Sequence, residues 1–183
     1  MFKKIMSFFG VCAVLAVFLV GCTGLPKNVE PVQDFKLDNY LGTWYEIARL
    51  DHSFERGLSH VKAEYILRDG GGIIVKNTGF NQKDNAWSKA QGKAYFKGSE
   101  ELGHLKVSFF GPFYASYVIF YVDDYQHAFV SGYNYDNLWL LARTPTVSEK
   151  VKQNFLSTAK QKGFNTQALI WVDQTTLDTI GYK

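Results

Sequence analysis

Eight short apolar runs, one after another and each bounded by Gly, Pro, Asn or Asp, constrain this chain more than any other feature. Residues 42–50 (GTWYEIARL) are rich in aromatic and branched side chains. Residues 58–68 alternate, with Val61, Ala63, Tyr65 and Leu67 on one face and Lys62, Glu64 and Arg68 on the other. The string DGGG at 69–72 predicts a hairpin turn into 73–80. After a polar loop at 81–86, residues 87–97 set Lys89, Gln91, Lys93 and Lys97 against Ala90, Gly92, Ala94 and Phe96. Gly92 has no side chain to pack, which predicts strand curvature or room for a ligand. Runs at 104–110, 114–122, 128–133 and 138–143 complete the series. Such a meander predicts an all-β fold. The specific expectation is an eight-stranded antiparallel up-and-down β-barrel, because closure removes exposed sheet edges.

One helix follows the strands. Val147, Val151, Phe155 and Ala159 recur on one face. Thr146 and Glu149 fit a capping box, Lys160 and Lys162 suit the last turn, and Gly163 suits a left-handed C-cap. With a single apolar stripe, this C-terminal α-helix is expected to pack outside the barrel. A short ninth strand is expected over 168–172.

The start of the chain is of another kind. Lys3-Lys4 precede an apolar run at 11–20, the pattern of an export signal. The run is shorter than the roughly 20 residues a transmembrane helix needs. The string LVGC at 19–22 resembles the lipobox of bacterial lipoproteins, which implies cleavage after residue 21 and lipid attachment at Cys22. An ordinary export signal with an incidental cysteine is the plainer reading. Thr23, where Asp would retain the protein at the inner membrane, implies an outer-membrane location by the same resemblance. The expected organisation is a signal peptide at 1–21, a flexible lipidated tether at 22–33 containing Pro26 and Pro31, and one domain at 34–183.

Composition enters through what it excludes. Lys and Arg number 20 against 17 Asp and Glu, a net charge of +3; loss of Lys3 and Lys4 with the signal leaves 18 against 17. That near-neutral domain, with no basic cluster, disfavours nucleic acid as a partner. Cys12 leaves with the signal and Cys22 takes lipid, so no thiol nucleophile remains. His52, His60, His104 and His127 are scattered without metal-ligand spacing and are expected at the surface or in loops. No metal or other cofactor is expected.

Three motifs point to a family. Gly42-Thr43-Trp44 resembles the Gly-x-Trp of the first lipocalin strand, preceded by a helical turn at 38–41. Asp123-Asp124-Tyr125 resembles the Thr-Asp-Tyr between lipocalin strands six and seven, with Asp in place of Thr. Arg143 matches the lipocalin arginine that lies over that tryptophan, a guanidinium on an indole at the closed end of the barrel. Residues 42–58, 106–114 and 138–153 resemble the bacterial outer-membrane lipoprotein lipocalins nearly throughout. The resemblance implies a calyx for small apolar ligands, here fatty acids or lysophospholipids, stored or moved for envelope maintenance. It also implies a binding protein and not an enzyme. Alternatives are a lipocalin-fold enzyme using Glu46 or Glu64, or an envelope interaction protein with a vestigial calyx. Many lipocalins dimerise, so a homodimer stays open.

Parity then nominates the lining. If Arg143 points inward to Trp44, Trp139 and Leu141 do so too, because side chains alternate. Other inward faces add Ala63, Tyr65, Val75, Ala94, Phe96, Val107, Phe109 and Tyr117. The tips of Tyr65 and Tyr117 could bond a carboxylate or glycerol oxygen. The same residues could instead simply fill the core. The segment SFFGPFY at 108–114 is either a turn whose aromatics cover the barrel mouth or an apolar rim for a membrane or partner.

Overall fold

The computed structural model describes residues 23–175. The expected signal (1–21), Cys22 and the end of the domain (176–183) lie outside the described residues. A short helix α1 (Leu37–Tyr40) leads into β1 (Gly42–Arg49), β2 (Leu58–Leu67), β3 (Ile73–Asn81), β4 (Ala86–Phe96) and β5 (His104–Ser108). Then come β6 (Ala115–Asp123), β7 (His127–Ser131), β8 (Leu138–Ala142), the helix α2 (Glu149–Lys162) and β9 (Ile170–Trp171). Each of the first seven strands pairs antiparallel with the next, and β1 pairs with both β2 and β8, which closes the barrel. The short β9 adds to β1 as an outer strand.

Alternation sorts the side chains into two buried clusters, one on each side of the wall. Trp44, Tyr65, Val75, Ala94, Ile119, Val130 and Leu141 belong to the inner one. Ile47, Ala48, Phe129, Leu138, Leu140 and Ala142 face outward against Phe155 and Ala159 of α2. Three irregularities break the alternation. The β1–β8 register shifts between Glu46 and Ala48, the β2–β3 register between Ser59 and Lys62, and the β6–β7 register between Ile119 and Tyr121. At the first shift Ile47 and Ala48 both face the helix, so Glu46 and Arg49 both face the interior. Leu67, at the closed end of β2, is exposed despite its expected inner face.

The helix packs where its stripe predicts, with Phe155 and Ala159 fully buried. Its start differs from expectation. Ser148 is the N-cap, accepting a hydrogen bond from the Val151 N–H, and the Thr146–Glu149 capping box does not form. The Thr146 carbonyl is taken by the Thr144 hydroxyl, and Glu149 reaches forward to Lys152 at 2.6 Å. Gly163 ends the helix at φ +101°, a conformation other residues rarely adopt.

Residues 23–33, expected as a flexible tether, lie against the barrel. Pro26 and Val29 are buried, and the Val32 N–H donates to the Ile119 carbonyl at 2.9 Å. At the other terminus the chain covers a seam. The β1–β2 ladder runs only from Gly42 to Tyr45 on β1. Beyond it the Gln174 side chain donates to the carbonyls of both Glu46 and Val61 at 2.8 Å, and the His60 N–H donates to Asp173.

Phe155 touches the rings and aliphatic groups that bind helix to barrel. Phe155→Ala should lower stability by about 3–5 kcal/mol through the lost contacts and the cavity left behind. Urea unfolding measures this; a loss under about 1 kcal/mol would show that α2 is not integral to the core.

Candidate functional site

One end of the barrel is shut by Arg143. Its guanidinium carbon lies 3.9 Å from the centroid of the Trp44 ring. Its N–H groups donate to the carbonyls of Thr43 at 2.8 Å, Asn39 at 2.7 Å and Tyr125 at 3.2 Å. The Trp44 indole N–H donates to the Tyr40 carbonyl at 2.8 Å. The Tyr125 hydroxyl accepts the Lys36 N–H, and Asp124 and Tyr125 both hold positive φ in the turn that presents that carbonyl. Gly42, Trp44, Asp124, Tyr125 and Arg143 thus meet at one place, as the three motifs require.

All ten residues nominated for the lining face the interior: Ala63, Tyr65, Val75, Ala94, Phe96, Val107, Phe109, Tyr117, Trp139 and Leu141. Tyr65, Val75 and Leu141 are buried there. Ala63, Phe96, Phe109, Tyr117 and Trp139 face inward yet stay only half-buried. Near the closed end three phenols meet. The Tyr117 oxygen is 2.7 Å from those of Tyr40 and Tyr65. Burial pushes the pKa of each well above the ordinary tyrosine range, so all three stay protonated. Hydrogen bonds through Tyr117 thus join the three phenols.

Toward the open end the inner wall is polar at one spot. Arg49 and Glu46 form a buried ion pair at 2.6 Å, with side chains only 2% and 4% exposed. Arg49 also donates to the carbonyls of Glu55 at 2.8 Å and Leu58 at 3.2 Å, which folds the 50–57 connection down onto the barrel. The Glu55 carboxylate accepts the Trp139 indole N–H at 3.2 Å and lies 3.0 Å from His52 Nε2. Burial raises the Glu46 pKa well above its usual range, with the neighbouring Glu55 charge adding to the effect. Burial also opposes the Glu55 charge, but His52, Trp139 and the Glu46 carboxyl outweigh it and the Glu55 pKa is lowered. Of the two carboxyls, Glu46 therefore takes up a proton more readily than Glu55.

Several expectations change at this level. The space beside Gly92 is not open: a Cβ there would lie 2.6 Å from the Ser108 carbonyl and 2.9 Å from the Phe109 ring. Its missing side chain makes room for Phe109. Glu64 faces outward toward Lys76 and has no part in the interior. Of the histidines expected at the surface or in loops, His52 is in the 50–57 loop but buried, whereas His104 is buried on β5 and bonds the Ser116 hydroxyl at 2.7 Å. The SFFGPFY segment divides: Phe109 turns inward, whereas Phe110 and Phe113 are 81% and 76% exposed at the mouth. Sequence reasoning missed Tyr40, Arg49, His52 and Glu55. On a regular strand Glu46 and Arg49 would face opposite sides, and only the shift at Ile47 brings them together.

The raised pKa of Glu46 has a sign. Above the ordinary glutamate value of 4.5 the folded chain keeps a proton that the unfolded chain releases, so stability falls as pH rises. Glu55, with its lowered pKa, acts only below that range. His104, whose pKa burial lowers, acts in the opposite sense in both proteins, so in urea unfolding Glu46→Gln should gain stability relative to the parent as pH rises from 5 to 8. The same pH response in both proteins would contradict a raised Glu46 pKa.

The sequence and fold both have relatives. Residues 35–174 match the lipocalin-like domain family. The chain is 55% identical to the outer membrane lipoprotein Blc of Vibrio cholerae, over 90% of this chain and 95% of that protein. It is 50% identical to the outer membrane lipoprotein Blc of Escherichia coli K12, over the same shares. Among solved structures, insecticyanin from the tobacco hornworm Manduca sexta aligns with a TM-score of 0.66 at 22% identity, covering 82% of this chain and 86% of that one. Lobster apocrustacyanin A1 aligns with a TM-score of 0.64 at 20% identity, covering 82% and 93%. Those two likenesses speak for the barrel, and the bacterial relatives for the outer-membrane lipoprotein type. The chain belongs to the lipocalin family, among its bacterial outer-membrane lipoproteins.

Proposed function

We propose that the barrel binds single-chain lipids, fatty acids or lysophospholipids, and stores or carries them for envelope maintenance without changing them. The observation that carries this reading is the set of inward-facing side chains that remain half-buried. They surround an apolar middle with polar groups at its two ends: the tyrosine hydroxyls near the base and the Glu55–Trp139 pair near the mouth. An acyl chain gains about 25 cal/mol for each Å² removed from water in such a space. The tyrosine hydroxyls are partners for a carboxylate or glycerol oxygen. Trp139 spends its N–H on Glu55, which leaves its ring face for the lipid.

One observation favours an enzyme instead: Glu46 and Glu55 are neighbouring carboxyls whose pKa values shift in opposite directions, as those of acid–base catalysts do. Against it, Arg49, His52 and Trp139 already engage both carboxyls. Incubation with candidate lipids, followed by mass spectrometry, should return them unchanged.

The domain freed of residues 1–22 should bind a fluorescent fatty acid or lysophospholipid with near-micromolar affinity, about −8 kcal/mol. Trp139→Ala should weaken binding roughly tenfold, or about 1.4 kcal/mol, and remove part of the quenching of tryptophan emission. Absence of saturable binding across lipid classes would sink the proposal.

A further inference from the structure

We infer that the barrel is held with its closed end toward the bilayer that carries its anchor and its mouth turned away from that bilayer. The inference rests on lipid attachment at Cys22.

The reason lies in residues 23–36. A lipoprotein whose anchor leads into a flexible linker can lie at any angle to the membrane. Here the chain is already engaged at Thr23, the residue that follows Cys22. The Thr23 carbonyl accepts from the Lys97 ammonium, on the closed-end connection between β4 and β5. The strap then stays bound along its length. Val29 is 1% exposed in the outer cluster, and the Lys162 ammonium donates to the Asn28 carbonyl at 3.1 Å. Val32 exchanges backbone hydrogen bonds at 2.9 Å with Ile119 and Gly103, and the Phe35 N–H donates to Glu101 at 2.9 Å.

One residue spans at most about 3.6 Å, so a lipid on Cys22 enters the bilayer beside the closed end. Leu25, an exposed apolar side chain on the strap, sits close enough in sequence to reach the headgroup layer with it. The mouth is far from that point. The strands of 9 to 11 residues that span the wall put the two ends about 25 Å apart once tilted. Phe54, Phe110 and Phe113, the exposed rings of the mouth, therefore cannot touch the bilayer that holds the anchor while the strap is docked. A peeled strap of twelve residues would reach about 40 Å and allow it, at the loss of the Val29 burial and the hydrogen bonds above. The aromatic rim thus faces the aqueous side, where ligand arrives or leaves.

The test uses the full-length lipoprotein in vesicles of phosphatidylethanolamine and phosphatidylglycerol containing a nickel-chelating lipid. Nitroxides go on Glu100→Cys at the closed end and Lys83→Cys at the mouth, both exposed turn positions. The Glu100→Cys label should relax several-fold faster against the nickel headgroups than the Lys83→Cys label. A Gly-Ser linker of about twelve residues inserted after Gly24 should erase that difference while leaving the fold intact. Equal relaxation in the parent chain, or faster relaxation at Lys83→Cys, would overturn the orientation, as would a difference that survives the linker. Mass spectrometry of the N-terminal peptide separates the two layers. An unmodified Cys22 overturns the anchor and the orientation together, whereas a lipidated Cys22 with equal labels overturns the orientation alone.

Discussion

The guanidinium of Arg143 is the contact on which the barrel's shape depends. It lies flat on Trp44 and binds carbonyls from the residues before β1, from β1 itself and from the β6–β7 turn. Four pieces of chain more than a hundred residues apart at the extremes are thereby fixed to one planar group. A lysine could not do this, because its single ammonium lacks both the flat face and the fork of donors. With one end so closed, the remaining inward side chains need not meet across the axis. The base thus joins a cation–π contact and carbonyl hydrogen bonds to the packed rings of Phe35, Tyr40 and Trp44.

The same economy governs the wall. A regular strand presents one face to the interior, yet β1 must serve α2 outside and the loop 50–57 inside. The register shift at Ile47 meets both needs: two successive apolar residues face the helix, and Glu46 and Arg49 face in. Buried charge of this kind is weak evidence for stability but strong evidence for a fixed geometry, since either partner alone would be left unpaired. What the network fixes is Trp139, through Glu55, and with it one wall of the space a ligand would occupy.

Much of this was legible in the sequence. The strands were, because apolar runs bounded by turn residues are a local signal, and parity on β8 put Trp139 and Leu141 inside correctly. The three motifs located the closed end for the same reason: each is a short string whose side chains meet only in one topology. What stayed hidden was non-local or irregular. Nothing in EIAR at 46–49 announces a bulge, so the polar network was invisible. Ser148 and Thr146 both suit a cap by residue type, and only the backbone path places Ser148 in reach of the Val151 N–H. Pro26 and Pro31 suggested a loose linker, whereas the burial of Val29 between helix and barrel depends on surfaces formed by residues far away.

The seam between β1 and β2 bears on the order of events during folding. The first strand to emerge from a translocation channel is β1, but its ladder partners include β8 and β9, close to the other terminus. The carbonyls of Glu46 and Val61 wait for the side chain of Gln174. A chain threaded through a membrane from its N-terminus therefore cannot close this barrel while any of its last strands remain on the far side. Its long-range pairing, a kinetic burden in free solution, keeps it threadable until export is nearly complete.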